Sequence, residues 1–362
     1  MSYQRDSRAL DAEILGVIDA WHRRGERLGE AEFNELALRI FAYQLRYNQP
    51  YARYCSRLGV TSPPDTWEAI PAVPAAAFKE TALTTFDPAA ATLVFETSGT
   101  SGGAGGLHYM EGGQLYDAAL LAGFDRCVLA DGPRLRYLNL VPNPAERPRS
   151  SLGYMMARVA EQRGSAGWYV RGDRLLFDAF AVDLREAIAA AQPVCIAATA
   201  FALVNLLDAM AERRVRWTLP KGSRVMETGG FKGRARAVRR DEFYALVSEG
   251  FGIGVEAIVA EYGMTELSSQ YYASGAAGFT GPPWLRARVV APDRTTLPPG
   301  ETGSLLHVDL ANRSSCVAIQ TEDIGLQTPA GFVLLGRAAN APARGCSLDA
   351  EELRATSPGG AR

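Results

Sequence analysis

Glycine, serine and threonine crowd one short stretch of this chain, Thr97-Ser98-Gly99-Thr100-Ser101-Gly102-Gly103-Ala104-Gly105-Gly106, directly after a strand-like run that ends at Glu96. Hydroxyls and glycine-exposed backbone N–H groups are what a phosphate cradle needs, because glycine lets the main chain approach an anion. The stretch is not a Walker A loop, since none of the three lysines (Lys79, Lys221, Lys232) follows a glycine. A G-x-G-x-x-G dinucleotide fingerprint does not fit either. Taken alone, such a loop is more often a flexible turn.

A second signal is Tyr262-Gly263-Met264-Thr265-Glu266, which follows the apolar run VEAIVA. A carboxylate at a strand end, on a turn containing glycine, is well placed to hold Mg²⁺ beside a polyphosphate, although a strand-to-helix turn with a capping acid has the same pattern. The third is Thr321-Glu322-Asp323-Ile324-Gly325, where a short acid at a strand end could accept hydrogen bonds from ribose hydroxyls or simply form a solvated turn. Cys346, between Arg344-Gly345 and Ser347, has neighbouring positive charge that could lower a thiol pKa. An inert structural cysteine is the alternative there. Lys232 follows Gly229-Gly230-Phe231 in a chain nearly devoid of lysine, and His108 follows the glycine loop as either a pocket or a structural histidine.

Alternating strands and helices must position these residues. Apolar strand patterns occupy 91–96, 135–141, 193–197, 224–227 and 257–260. Helical spacing joins Phe33, Leu36, Ala37, Ile40, Phe41 and Leu45 before Pro50, and Phe201, Val204, Leu207 and Met210 farther on. That alternation predicts an α/β sheet with parallel crossovers. After Pro282 the texture turns to short strands and tight turns, a small β-rich subdomain with Cys316 inside one strand as core. The expected divisions are an N-terminal helical region at 1–80, an α/β nucleotide-binding core at 81–281, the β-rich subdomain at 282–336 and a short tail at 337–362, of which TSPGGAR reads as disordered.

With 362 residues, 47% of them hydrophobic, the chain can bury an enzyme-sized core, and a net charge of -2 gives no reason to expect nucleic acid as partner. Five scattered cysteines without CxxC spacing favour a reducing cytoplasm over a disulfide framework or a cysteine zinc site. The N-terminus carries charges where a secretory signal would be apolar, and the apolar stretch 194–204, bounded by Pro193 and Asn205, is far too short for a membrane span.

The order of a Ser/Thr/Gly loop, Tyr-Gly-x-Thr-Glu, and Thr-x-Asp before Gly336-Arg337 resembles acyl-adenylate-forming enzymes from about residue 70 to 340. Val73-Pro74 with Phe78-Lys79, Glu227-Thr228-Gly229-Gly230-Phe231-Lys232-Gly233-Arg234, YGMTELSSQYY and Arg344-Gly345-Cys346-Ser347-Leu348 narrow it. Together they are similar to LuxE-type acyl-protein synthetases, related to phenylacetate-CoA ligases. The resemblance implies a large N-terminal adenylation domain of the acyl-adenylate-forming α/β fold with a small β-rich subdomain, lacking the usual C-terminal domain. It implies ATP and Mg²⁺ as cofactors, with Thr97, Ser98, Gly99, Thr100, Ser101 and Gly102 on the phosphates, Gly229 and Gly230 beside the adenine, and Tyr262 and Gly263 near the base. Thr265 would face the α-phosphate, Glu266 would coordinate Mg²⁺, Asp323 would bind ribose with Arg337 close by, Lys232 would assist, and Cys346 would take the acyl group.

Two departures stand out: Gly105-Gly106 stand near the place where ordinary members of the superfamily carry a loop lysine, and no lysine follows Lys232. The implied enzyme is a cytoplasmic acid–thiol ligase that activates a fatty or other carboxylic acid as acyl-AMP and captures it as a protein thioester, with an acyl-protein reductase as partner. A compact acid–CoA or acid–carrier ligase and a non-catalytic nucleotide- or acyl-binding subunit are the alternatives.

Overall fold

A computed structural model describes residues 2–97, 105–129, 134–172, 174–229, 240–275 and 277–338. In chain order the elements are α1 (Tyr3–Arg24), α2 (Glu30–Tyr47), α3 (Gln49–Arg57), β1 (Val73–Pro74), β2 (Leu93–Glu96), β3 (Leu107–Met110), α4 (Gln114–Cys127), β4 (Leu135–Leu140), α5 (Ser151–Arg163) and β5 (Gly164–Trp168). There follow β6 (Val170–Arg171), β7 (Arg174–Leu175), α6 (Phe177–Ala189), β8 (Val194–Thr199), α7 (Ala200–Glu212), β9 (Arg224–Thr228) and α8 (Arg240–Phe251). The last strands are β10 (Ile258–Tyr262), β11 (Tyr271–Ser274), β12 (Leu285–Val290), β13 (Thr302–Asp309), β14 (Ala318–Thr328) and β15 (Gly331–Arg337). They divide into two compact units, one of Met1–Ala122, Met264–Ser269 and Gly281–Arg362, the other of Gly123–Gly263 and Gln270–Thr280.

In the first unit, α2 buries Phe33, Leu36, Ala37, Ile40 and Phe41 at the predicted spacing, while Leu45 is only half-buried. α2 ends at Tyr47, before Pro50, and Pro50 lies in the first turn of α3, where its missing N–H costs nothing. A five-stranded sheet runs β1-β14-β13-β12, with β15 also on β14. β1 takes Ile319 and Gln320 of β14, and β15 takes 323–328. This double use makes β14 longer than the sequence suggested. Asp323 therefore lies within a strand, beside a register irregularity at Ile324/Gly325, rather than at a strand end. Cys316 is buried as expected but precedes β14.

The second unit holds a six-stranded sheet in the order β11-β10-β9-β8-β4-β5, parallel except for β11. β8 sits between two parallel neighbours and is buried along Val194–Ala198, which explains its unbroken apolar run. Thr199 then caps α7 by accepting from the Ala202 N–H at 3.2 Å. The fully buried residues of α7 are Ala200, Leu203, Leu206 and Met210; of the predicted stripe Met210 is among them, while Val204 and Leu207 are only partly buried against the same core. Phe201 is 43% exposed. Both stripes are apolar, so helical spacing alone could not choose between them.

Candidate active site

The glycine-rich stretch joins two antiparallel strands. β2 and β3 pair from Leu93↔Met110 to Glu96↔Leu107, and the Gly106 N–H donates to the Thr97 hydroxyl at 2.7 Å while the Thr97 N–H donates to the Gly106 carbonyl at 2.9 Å. At the foot of the loop Gly105 is sterically required and Gly106 is tightly packed. A Cβ on Gly105 would lie 2.4 Å from the Thr97 carbonyl oxygen, and one on Gly106 would lie 3.0 Å from the Phe78 backbone. Phe78-Lys79 thus belongs to the base of the loop, with the Lys79 side chain exposed. Of the expected site residues, Ser98, Gly99, Thr100, Ser101, Gly102, Gly230, Lys232 and Cys346 lie outside the described residues.

His108 stands on β3, buried, with its Nδ1 2.7 Å from the Thr265 carbonyl oxygen and its ring edge-on to Phe78 at 5.6 Å. A carbonyl only accepts, so Nδ1 carries the proton and donates. Burial pushes the histidine down to about 4, against the opposing effect of that hydrogen bond, and the ring is neutral at pH 7. The sequence raised His108 only as an alternative between pocket and scaffold. Its contact ties Thr265 to the strand that leaves the glycine loop.

Thr265 and Glu266 occupy a turn after β10, and Glu266 is buried. Residues far along the chain hold this turn. Asn312 Nδ2 donates to the Glu266 carbonyl at 2.8 Å, and the Ser268 hydroxyl donates to Asn312 Oδ1. Asp309 accepts from the Ser268 N–H at 2.9 Å, the Ser269 hydroxyl at 2.9 Å and the Ala311 N–H at 3.0 Å. Burial raises the Asp309 carboxyl to about 6 in spite of these donors. Neither Asp309 nor Asn312 was singled out from sequence, because nothing local in HVDLAN marks them as partners of a turn some forty residues earlier.

Asp323 and Arg337 face each other across β14 and β15, Oδ1 to Nε 3.9 Å, and Arg337 also lies 3.4 Å from Glu322. These are half-exposed pairs of little energetic weight. In the second unit Gly229 and Tyr262 sit at the carboxyl ends of the adjacent parallel strands β9 and β10, the end of an α/β sheet at which ligands bind. Gly229 has φ 83°, a left-handed conformation open to glycine at no steric cost. The Tyr262 ring is buried against Tyr271 at 5.9 Å and Phe279 at 5.8 Å, with Gly263 following as the last residue before the turn. Beneath Gly229, Thr228 donates to the Glu261 carboxylate, and Tyr244 donates to Glu227 at 3.0 Å.

The four described cysteines are free, and burial holds each of their thiols up: Cys127 to about 11, Cys55 and Cys195 to about 12, and Cys316 well above the usual thiol value. None supplies a thiolate at neutral pH. A cavity of about 340 Å³ in the first unit is lined by Arg8, Asp11, Glu111 and Arg313 among others, charges that make it a poor host for an aliphatic chain. Among the described residues no group of three or more His, Cys, Asp or Glu could hold a metal, and no helix is long and apolar enough to cross a membrane.

Comparison with known proteins agrees with the fold. The chain is 25% identical over 295 residues to the long-chain-fatty-acid–luciferin-component ligase of Vibrio harveyi, covering 79% of this chain and 77% of that protein. Its structure is similar to that of 2-hydroxyisobutyryl-CoA ligase in the postadenylation state, with a TM-score of 0.65 and 15% identity over 87% of this chain and 69% of the ligase. An open conformation of the same ligase gives 0.64 and 13%, over 86% and 71%. The chain spans only 48% of McyG A-PCP, where 18% identity over 70% of this chain and a TM-score of 0.49 carry no weight. The ligase likeness establishes the adenylate-forming fold, and the family model of acyl-protein synthetase, LuxE, matches residues 26–353, so the chain belongs to that family of ATP-dependent acid-activating ligases.

Proposed function

We propose that this chain condenses a long-chain fatty acid with ATP to acyl-AMP and pyrophosphate, then moves the acyl group to Cys346 as a thioester for delivery to an acyl-protein reductase. The observation that carries the reading is the buried Glu266 on a turn that His108 ties to the hairpin bearing the glycine-rich loop. The fatty acid is suggested by the name of the Vibrio harveyi relative, a long-chain-fatty-acid–luciferin-component ligase. A single carboxylate, with phosphate and water oxygens filling the remaining positions, is how Mg²⁺ is commonly held beside a nucleotide, and Glu266 fits that role. When bound, the ion would offset negative charge on the phosphate oxygens.

In the first step a carboxylate oxygen attacks the α-phosphorus, and the bond to pyrophosphate breaks. Residues 97–102 would hold the phosphates, Thr265 the α-phosphate, Asp323 with Arg337 the ribose, and Gly229, Gly230, Tyr262 and Gly263 the base, and Lys232 would assist. In the second step the Cys346 thiolate attacks the acyl carbonyl carbon and AMP leaves with the bonding electrons. The raised pKa values of the four described thiols support Cys346 as acceptor, since each of those would have to shed a proton held by burial.

Acid-dependent ATP–pyrophosphate exchange across an acid panel tests the first step, and labelling of the protein by radioactive acid and ATP tests the second. Exchange strongest with long-chain acids is expected. Cys346→Ser should retain exchange and lose hydroxylamine-labile label. Label persisting in Cys346→Ser, or wild-type conversion of CoA to acyl-CoA without labelled protein, would overturn the second step.

A further inference from the structure

We propose that Asn312, with Asp309 and His108, is a positioning residue that fixes the turn of residues 265–269 and so presents Glu266 to the metal–nucleotide in one orientation. The inference rests on the reading of Glu266 as the magnesium ligand. Three independent anchors grip the turn: His108 on the Thr265 carbonyl at 2.7 Å, Asn312 on the Glu266 carbonyl at 2.8 Å, and Asp309 on the Ser268 N–H and Ser269 hydroxyl, each at 2.9 Å. The anchors are themselves immobilised. Asn312 Nδ2 also donates to the Cys316 carbonyl at 3.1 Å, and its backbone carbonyl accepts from Gln44 of α2 at 2.8 Å. Gln44 in turn accepts from the Val317 N–H at 2.9 Å, and the Trp284 indole donates to the Ser269 hydroxyl at 2.9 Å. The anchoring residues His108, Asp309, Asn312, Gln44 and Trp284 are all buried.

Such an arrangement is more than a satisfied core. A turn of five residues has few bonds of its own, only Leu267 N–H to the Met264 carbonyl at 3.1 Å among the described backbone pairs, so its shape is imposed by side chains from β3 and from residues 309–312. Partners behind a metal ligand set its orientation, and losing one typically weakens metal affinity by about 10- to 100-fold. Asn312 acts on the Glu266 backbone rather than its carboxylate, so its part is to orient the ligand.

The test is a double-mutant cycle on the full chain. Asn312→Ala should raise the Mg²⁺ concentration for half-maximal acid-dependent exchange by roughly tenfold, and calorimetry should show weaker MgATP binding with metal-free ATP binding unchanged. Ser268→Ala, a gentler change that removes only the hydroxyl bonded to Asn312, should move both readouts the same way by a smaller factor and covers a folding failure of the first variant. In a Glu266→Gln background, Asn312→Ala should add nothing further, because its effect passes through Glu266. Wild-type magnesium dependence in Asn312→Ala and Ser268→Ala, or full additivity with Glu266→Gln, would overturn the proposal. Wild-type magnesium dependence in Glu266→Gln would instead remove the reading of Glu266 on which it rests.

Discussion

The two units place their candidate residues by opposite physical means. In the second, Gly229 and Tyr262 stand at the ends of parallel strands packed in an apolar core that includes Leu138, Ile196, Leu203, Leu206, Val225, Phe243 and Ile258. In the first, the turn carrying Thr265 and Glu266 is gripped by a histidine, an aspartate and an asparagine, all buried. Apolar packing is non-directional and tolerates small shifts. A buried hydrogen-bond network fixes direction, but it is costly when one partner is lost and brings titratable groups into the interior. The turn of the first unit should therefore answer chiefly to pH and the apolar core of the second to side-chain volume, although burial also raises the Glu227 carboxyl beneath Gly229.

The largest effect is expected in the apolar unit. Leu203→Ala should cost about 2–5 kcal/mol of stability by opening a cavity under α7, with no change in the shape of the stability–pH curve. Denaturant unfolding of this variant at pH 7 and pH 4.5 checks both statements. An altered acid response would break the contrast between the units.

Next comes the acid response of the first unit. His108 is lowered from 6.5 to about 4, so below pH 6.5 the unfolded chain takes up a proton that the folded chain refuses. The stability it contributes is full above pH 6.5 and is lost as pH falls to about 4, a loss of about 3 kcal/mol in all. His307, lowered to about 3, acts with the same sign over a wider window. Asp309, raised from 3.8 to about 6, opposes them, since its neutral form is favoured in the fold and stability is gained as pH falls through that range. His108→Gln, whose amide can still donate to Thr265, should reduce the loss of stability between pH 7 and 4.5 by about 2–3 kcal/mol. An unchanged acid limb in urea unfolding would mean that His108 is not held neutral.

The smallest effect sharpens the register of α7. Phe201→Ser should change stability by no more than about 0.5 kcal/mol, because the ring is 43% exposed. A loss comparable to that of Leu203→Ala would restore the helical face expected from sequence spacing.

Much of this protein was determined by local sequence. The strands β4, β8, β9 and β10 were legible as short apolar runs, and α2 as a stripe at helical spacing, because burial on a parallel sheet or a helix face selects those periodicities. The glycine-rich loop and the Tyr-Gly-x-Thr-Glu turn were legible because their chemistry needs particular residue types in a row. Tertiary structure alone decided the rest. It chose Leu203 and Leu206 over Phe201 and Val204, two apolar stripes that differ only in what faces them. It set Asp323 inside β14, because β1 and β15 share that strand's edge. It also brought Asp309 and Asn312 to a turn more than forty positions earlier, and His108 to a carbonyl 157 positions later. A buried hydrogen bond is specified by where its two ends meet in space, and no local pattern at either end records the meeting.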